Sequence, residues 1–273
     1  MYWAKLGTLR GDMKIETLAL APLTDTGAAP LYRQAKRELQ RVIESGHCRP
    51  GQALPNEAQI ADALGVSVGT LRRAVDELVH EHVLVRRQGK GTFVALHNSD
   101  RFFFHFFHIE PRPDARFADV VLQLEYPLVE CVAFERERAG EGEAAALRIK
   151  LGDPVIRFDN RLMLAGRPVV FDRITIPALL YKGLTEKRLL DRPSTIYRLY
   201  QTDFGITVLR AQERARAAAA DRVSARILGV ALGLPVLEVH RIALTFGEKP
   251  VEYRVSTINT QAHDYVSVLS KKL

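Results

Sequence analysis

Residues Asn56 to Val94 carry the pattern that most restricts how this chain can fold. Two short amphipathic stretches are joined by Gly65-Val-Ser67, and two brief β-type runs follow around Gln88-Gly-Lys-Gly91. Asn56 can cap the first stretch, with Gln59 at the third helical position to complete a capping box, and Ile60, Ala63 and Leu64 form its inner side. Ser67 can cap the second, whose inner stripe is Leu71, Ala74, Val75, Leu78 and Val79. The β-type runs are Val83 to Arg87 and Thr92 to Ala95. An earlier helix is marked by Leu31, Ala35, Leu39, Val42 and Ile43, with Gly46 to end it and Pro50-Gly51 as a turn. Residues 30–95 therefore read as a winged helix-turn-helix domain, preceded by a flexible extension over 1–29.

In such a domain the second helix of the pair can enter a major groove and present its first turns to base edges. The outward residues there are Ser67, Gly69, Thr70, Arg72 and Arg73. A helix start with hydroxyls can hold phosphate, and an arginine can pair with guanine through two hydrogen bonds. Arg86, Arg87 and Lys90 place further positive charge on the hairpin, where Gly89 and Gly91 let the backbone approach a duplex.

The totals agree with this reading without carrying it. The 273 residues include 39 Lys and Arg against 32 Asp and Glu, a formal charge of +7 that favours a polyanionic partner. Nothing approaches the roughly 20 apolar residues needed to cross a bilayer, and the first ten residues lack the apolar core of a signal peptide. Cys48 and Cys131 are too few for a disulfide framework and sit in no metal-ligand spacing, so a cytoplasmic location is expected. His105 and His108 are three apart, but no third ligand lies near them in sequence, so no metal is expected.

After a linker over 96–101, residues 102–270 change character to short strand-like runs separated by Gly and Pro. They contain an internal echo. Gly152-Asp-Pro-Val-Ile, Arg161-Leu-Met-Leu, Gly166 and Pro168-Val169 return as Gly233-Leu-Pro-Val-Leu, Arg241-Ile-Ala-Leu, Gly247 and Pro250-Val251. Each copy follows an Ala/Leu-rich helical stretch, Glu143 to Leu151 and Ala219 to Leu232. The expected fold class is α+β: the winged domain, then a mixed α/β domain with a helix-plus-hairpin repeat.

The N-terminal segment resembles the GntR family of bacterial regulators. The matching residues are Leu54-Pro-Asn-Glu57, Leu64-Gly-Val-Ser67, Thr70-Leu-Arg-Arg-Ala-Val-Asp-Glu-Leu78 and Arg86-Arg-Gln-Gly-Lys-Gly-Thr-Phe-Val94. Family members usually carry Arg where this chain has Ala58, and Arg or a similar polar residue where it has Val68, whereas Arg72 is retained, so the operator half-site is expected to depart from the common one. The remainder is similar to the UTRA domain of the HutC-type branch, through the aromatic run Phe102 to Phe107, the two Gly-x-Pro-Val hairpins, Ser194-Thr-Ile-Tyr197 and Pro250-Val-Glu-Tyr253.

The resemblance implies a repressor that binds a pseudo-palindromic operator as a homodimer and answers to a small metabolite, phosphorylated or carboxylated. It implies an effector site at Arg161, Asp172, Ser194 and Glu252, with Arg161 facing the anion and Ser194 adding a helix-start donor. Phosphosugar binders often carry Arg at the place of Met163 and Tyr at that of Ile258, and this chain lacks both. No Gly-x-Ser-x-Gly, phosphate-binding loop or zinc signature is present, so no enzyme and no cofactor are expected. The competing expectation is an architectural DNA-binding protein that senses nothing.

Overall fold

A computed structural model describes residues 15–23, 29–81, 83–95, 109–112, 127–192 and 195–266. The chain divides into two compact units, one of residues 1–97 with 201–209, the other of residues 98–200 with 210–273.

In the first unit, helix α1 spans Leu31–Glu44, α2 Glu57–Leu64 and α3 Val68–His80. Strands β1 (Leu84–Arg87) and β2 (Gly91–Val94) pair antiparallel as the wing. The local chemistry read from the sequence sets these bounds. Asn56 accepts from the Ala58 N–H at 2.8 Å while Gln59 returns to the Asn56 N–H at 3.3 Å. Ser67 Oγ accepts from the Thr70 N–H at 3.1 Å. Gly65 turns the chain between α2 and α3 at φ 66°, a left-handed conformation that costs glycine little. Leu39, Val42, Leu64, Leu71, Ala74 and Leu78 meet in the core, all 0% exposed. Lys36 ties α1 to α3 through Glu77 at 2.9 Å and Glu81 at 2.6 Å.

The extension expected to be loose through residue 29 is in part folded. Ile15–Leu18 form a 3-10 turn with Leu18 fully buried, and the Leu23 N–H donates to the Leu64 carbonyl at 2.8 Å. The segment is too short to show a helical period, so its one buried leucine left no sequence signal.

The second unit is built on a six-stranded antiparallel sheet. Its strands are β4 (Leu128–Arg138), β5 (Pro154–Leu164), β6 (Arg167–Pro177), β7 (Arg210–Ala219), β8 (Pro235–Leu244) and β9 (Pro250–Ile258). The order β4-β5-β6-β9-β8-β7 is two three-stranded halves joined at β6 and β9. Each half has a helix after its first strand, α4 (Glu141–Leu147) and α7 (Arg222–Leu228). Both helices are shorter than the stretches expected. Between the halves run α5 (Glu186–Leu190) and α6 (Ile196–Phe204). A separate ribbon pairs β3 (Ile109–Pro111) with β10 (His263–Tyr265).

The sequence echo is thus a structural repeat, down to single bonds. Gly152 donates to the Ala139 carbonyl at 2.9 Å as Gly233 does to that of Ala220 at 2.8 Å. Alternation along the strands then sorts the side chains of β5, β6, β8 and β9 onto two faces. Val155 and Tyr253 lie under α4, and Val236 packs with Ala225 of α7. The opposite face carries Leu162, Val170, Val239 and Ile258. Among the described residues no helix is long and apolar enough to cross a membrane.

Candidate nucleic-acid interface and effector pocket

In the first unit, Ser67, Gly69, Arg72 and Arg73 are exposed at the start of α3, and Thr70 is half-buried. They border an open groove that also takes in Pro30 and Tyr32 at the start of α1. Arg73 does not extend freely from this face, since its guanidinium lies over the Tyr32 ring, 3.8 Å from the centroid. Ser67 and Thr70 are joined hydroxyl to hydroxyl at 2.8 Å.

Arg72 donates through Nε to Glu57 Oε2 at 3.1 Å. The contact is through Nε alone, and the Arg72 side chain is 61% exposed. Glu57 also receives Arg86 Nη2 at 3.2 Å, while Arg86 Nη1 meets Asp76 at 2.5 Å. Arg86 therefore braces the wing against α2 and α3. Arg87 lies over Phe93 at 4.7 Å, and exposed Lys90 sits in the wing turn, beside Gly89 at φ 68°. Glu57 and Tyr32, which hold Arg72 and Arg73, were given no role of their own in the sequence reading. Their spacing from α3 becomes meaningful only once the helices pack.

In the second unit, the three expected effector residues that are described do not all share one face of the sheet. Asp172 and Glu252 are buried on the face opposite α4 and α7, at 2% and 0% exposure. Arg161 lies on the other face and pairs with Glu130 at 2.5 Å, both half-exposed. Ser194 falls outside the described residues; Thr195 is the residue whose hydroxyl accepts from the Arg198 N–H at 3.3 Å. The aromatic run 102–107, His105, His108 and the linker 96–101 also fall outside the described residues.

The cause of the Arg161 misplacement is register. Arg161 comes nine positions after Gly152, but Arg241 comes eight after Gly233. One residue of difference reverses the face of a strand. In the first half, the structural counterpart of Arg241 is Asn160.

The face that carries Asp172 holds a small, partly open cavity of about 40 Å³. One side is apolar, formed by Ile109, Leu162, Val170, Val239, Ile258 and Tyr265. The other is polar, formed by Asp172, Arg241, Arg254 and Ser256. Arg254 donates to Asp172 Oδ2 at 3.1 Å and meets Glu252 Oε1 at 2.9 Å. Ser256 donates to Asp172 Oδ1 at 2.5 Å. Tyr197 and Tyr200 of α6 donate to the two Glu252 oxygens at 3.1 and 2.8 Å. Arg241 donates through Nε to Glu213 Oε1 at 2.5 Å, and Tyr265 donates to Glu213 Oε2.

Burial opposes the charge on Arg254, yet Glu252 and Asp172 hold its pKa above the ordinary arginine value. Burial likewise opposes Arg241, and Tyr197 and Glu213 outweigh it. Both guanidiniums therefore stay charged inside the unit. Burial pushes the Tyr197 phenol up to about 12, so it remains a hydrogen-bond donor. A cavity of about 40 Å³ accommodates a water but not a metabolite. Two of its lining residues, Ile109 and Tyr265, come from the β3–β10 ribbon, whose displacement would enlarge it.

A winged helix-turn-helix with exposed arginines at the start of α3, joined to a unit with a charged cavity, defines the class of DNA-binding transcription regulators. The chain belongs to the gntR family of bacterial regulatory proteins, in the HutC-type branch: the gntR family matches residues 31–94 and the UTRA domain family matches residues 125–264.

The transcriptional repressor NagR of Bacillus subtilis is 27% identical over 251 residues, 89% of this chain and 96% of the relative. MngR of Escherichia coli, repressor of a mannosyl-D-glycerate transport and metabolism system, is 24% identical over 247 residues, 90% of this chain and 98% of the relative. Among solved structures, the ligand-binding domain of a GntR-family regulator from Bordetella bronchiseptica superposes with a TM-score of 0.54 at 30% identity. It covers 60% of this chain and 98% of that domain. YydK of Bacillus subtilis shares the fold at a TM-score of 0.50 and 14% identity, over 88% of this chain and 99% of that one.

Proposed function

We propose that this protein is a repressor that binds a pseudo-palindromic operator as a homodimer and is switched by a small metabolite held in the second unit. Arg72 reads a base through its free terminal nitrogens. Ser67, Gly69, Thr70 and Arg73 approach the backbone and neighbouring bases, and Arg87, Gly89 and Lys90 on the wing contact phosphate. A two-fold dimer presents two such units to two half-sites about 10 base pairs apart or a multiple of that.

The observation that carries the sensing half is the charged cluster of Asp172, Arg241 and Arg254 lining a small cavity, with buried Glu252 paired to Arg254. Buried ion pairs are expensive to desolvate and add little stability compared with apolar packing of the same volume. A DNA-binding protein that senses nothing would have no use for them, which disfavours the architectural alternative. The acceptors and guanidiniums bind the effector's polar end, and the location is cytoplasmic, where operator and metabolite meet.

Selection of bound duplexes from a random pool by the full chain tests this reading. Recovery of a two-fold-symmetric sequence supports it, and recovery of no preferred sequence rejects it.

A further inference from the structure

Resting on the reading of the second unit as an effector site, we propose that the effector is a small zwitterion: an ammonium and a carboxylate on a compact apolar body, not a sugar or a sugar phosphate. Polar groups gather at one end of the cavity, and the remaining wall is formed by aliphatic side chains and the Tyr265 ring. A sugar carries hydroxyls around its whole perimeter, and those facing Leu162, Val170 and Ile258 would lose water without gaining partners. A compact hydrocarbon body suits that wall.

The charges select the polar end. Arg241 and Arg254 are register partners on β8 and β9, and both line the cavity. Like charges directly opposite on a sheet repel, and a carboxylate between them removes the repulsion. Against these two cations stand three carboxylates, Asp172, Glu213 and Glu252. Arg192 is a third cation within electrostatic reach of Arg254, so acids and cations balance. A bare anion, and above all a phosphate dianion, upsets that balance, whereas a zwitterion leaves it unchanged.

A receptor for the ammonium stands beside the guanidinium pair. Asp172 lines the cavity with two hydrogen bonds on its oxygens, and a carboxylate has about four acceptor positions. Its register partner on β5 is Asn160, on the same face and 4% exposed, whose Oδ1 has no hydrogen-bond partner. A buried orphan carbonyl next to a carboxylate calls for a donor with several hydrogens, and an ammonium has three.

Thermal unfolding of the full chain tests the assignment. The probes are the apolar α-amino acids from alanine to tryptophan, the deaminated acids isocaproate and hydrocinnamate, and glucose phosphate, each at about 10 mM. At least one amino acid is expected to raise Tm by more than about 2 °C, with its deaminated counterpart and glucose phosphate giving no rise. In Asp172→Asn, affinity for that amino acid is expected to fall at least tenfold, and the circular dichroism spectrum of the variant is expected to match that of the parent. The spectrum separates loss of the ammonium partner from loss of the fold.

A rise with glucose phosphate alone, an equal rise with the deaminated acid, or no rise with any amino acid overturns the zwitterion. None of these outcomes touches the reading of the protein as an operator-binding repressor, which fails only if duplex selection yields no preferred sequence.

Discussion

Arg241 and Arg254 face each other across β8 and β9, each held by acids from a different strand: Glu213 on β7 for Arg241, Asp172 on β6 for Arg254. Four strands of the sheet therefore contribute charge to one cavity, and the arrangement can be tested one residue at a time.

Arg254→Met should destabilise the second unit by about 3–5 kcal/mol, because Asp172 and Glu252 would remain buried without their cation. For a unit of this size that amounts to a fall in Tm of roughly 6–20 °C by calorimetry. Arg161→Ala should cost no more than about 1 kcal/mol, since its pair with Glu130 is half-exposed. It should also leave the response of the operator complex to effector unchanged. A lost response in the Arg161 variant would move the pocket to the opposite face of the sheet.

Arg72→Ala should cost about 1–3 kcal/mol of discrimination between operator and scrambled duplex. Glu57→Gln leaves the arginine in place but loosens its Nε, so part of that discrimination should go while non-specific binding holds or rises. Lys90→Ala should weaken both kinds of binding and flatten the salt dependence by about one unit. Fluorescence anisotropy on the two duplexes over a range of salt separates the three effects.

The acid side of the stability curve should bear the mark of Glu143. Burial raises the pKa of its carboxyl, but the Gly140 N–H, Arg157 and Thr175 outweigh burial and hold it below its ordinary 4.5. A carboxylate depressed on folding contributes stability that is present above the unfolded pKa and is lost as pH falls through the folded one. Unfolding of the wild type followed at a series of pH values should therefore lose stability below about pH 4.5, and Glu143→Gln should lose less over the same interval. Equal slopes would place the acid sensitivity elsewhere.

The first unit was nearly all legible in the sequence because its determinants are local. Asn56 with Gln59, Gly65 and Ser67 act within one turn of where they stand, and the stripe from Leu71 to Leu78 states its own period. The repeat in the second unit was legible for the same reason, as Gly152 and Gly233 mark equivalent turns. The pocket was not. Asp172, Glu252 and Arg161 all came from resemblance, and the echo that aligned Arg161 with Arg241 spans a one-residue offset, which on a strand exchanges the faces. Arg254 and Asn160 carry no motif. They acquire meaning from register with Arg241 and Asp172, which strand pairing alone defines.

The account of assembly predicts a dimer for the full chain in sedimentation at micromolar concentration, with one duplex of two half-sites bound per dimer. A monomer binding one half-site would remove the two-fold operator from the account.

The central claim is that DNA and a small molecule bind one protein and oppose each other. It is tested most directly by anisotropy of the selected duplex with the full chain, with and without whichever probe raises Tm. Coupling of about 1–3 kcal/mol between the sites predicts a loss of operator affinity of roughly 5- to 150-fold. An operator affinity unchanged by a molecule that demonstrably binds the second unit would contradict it.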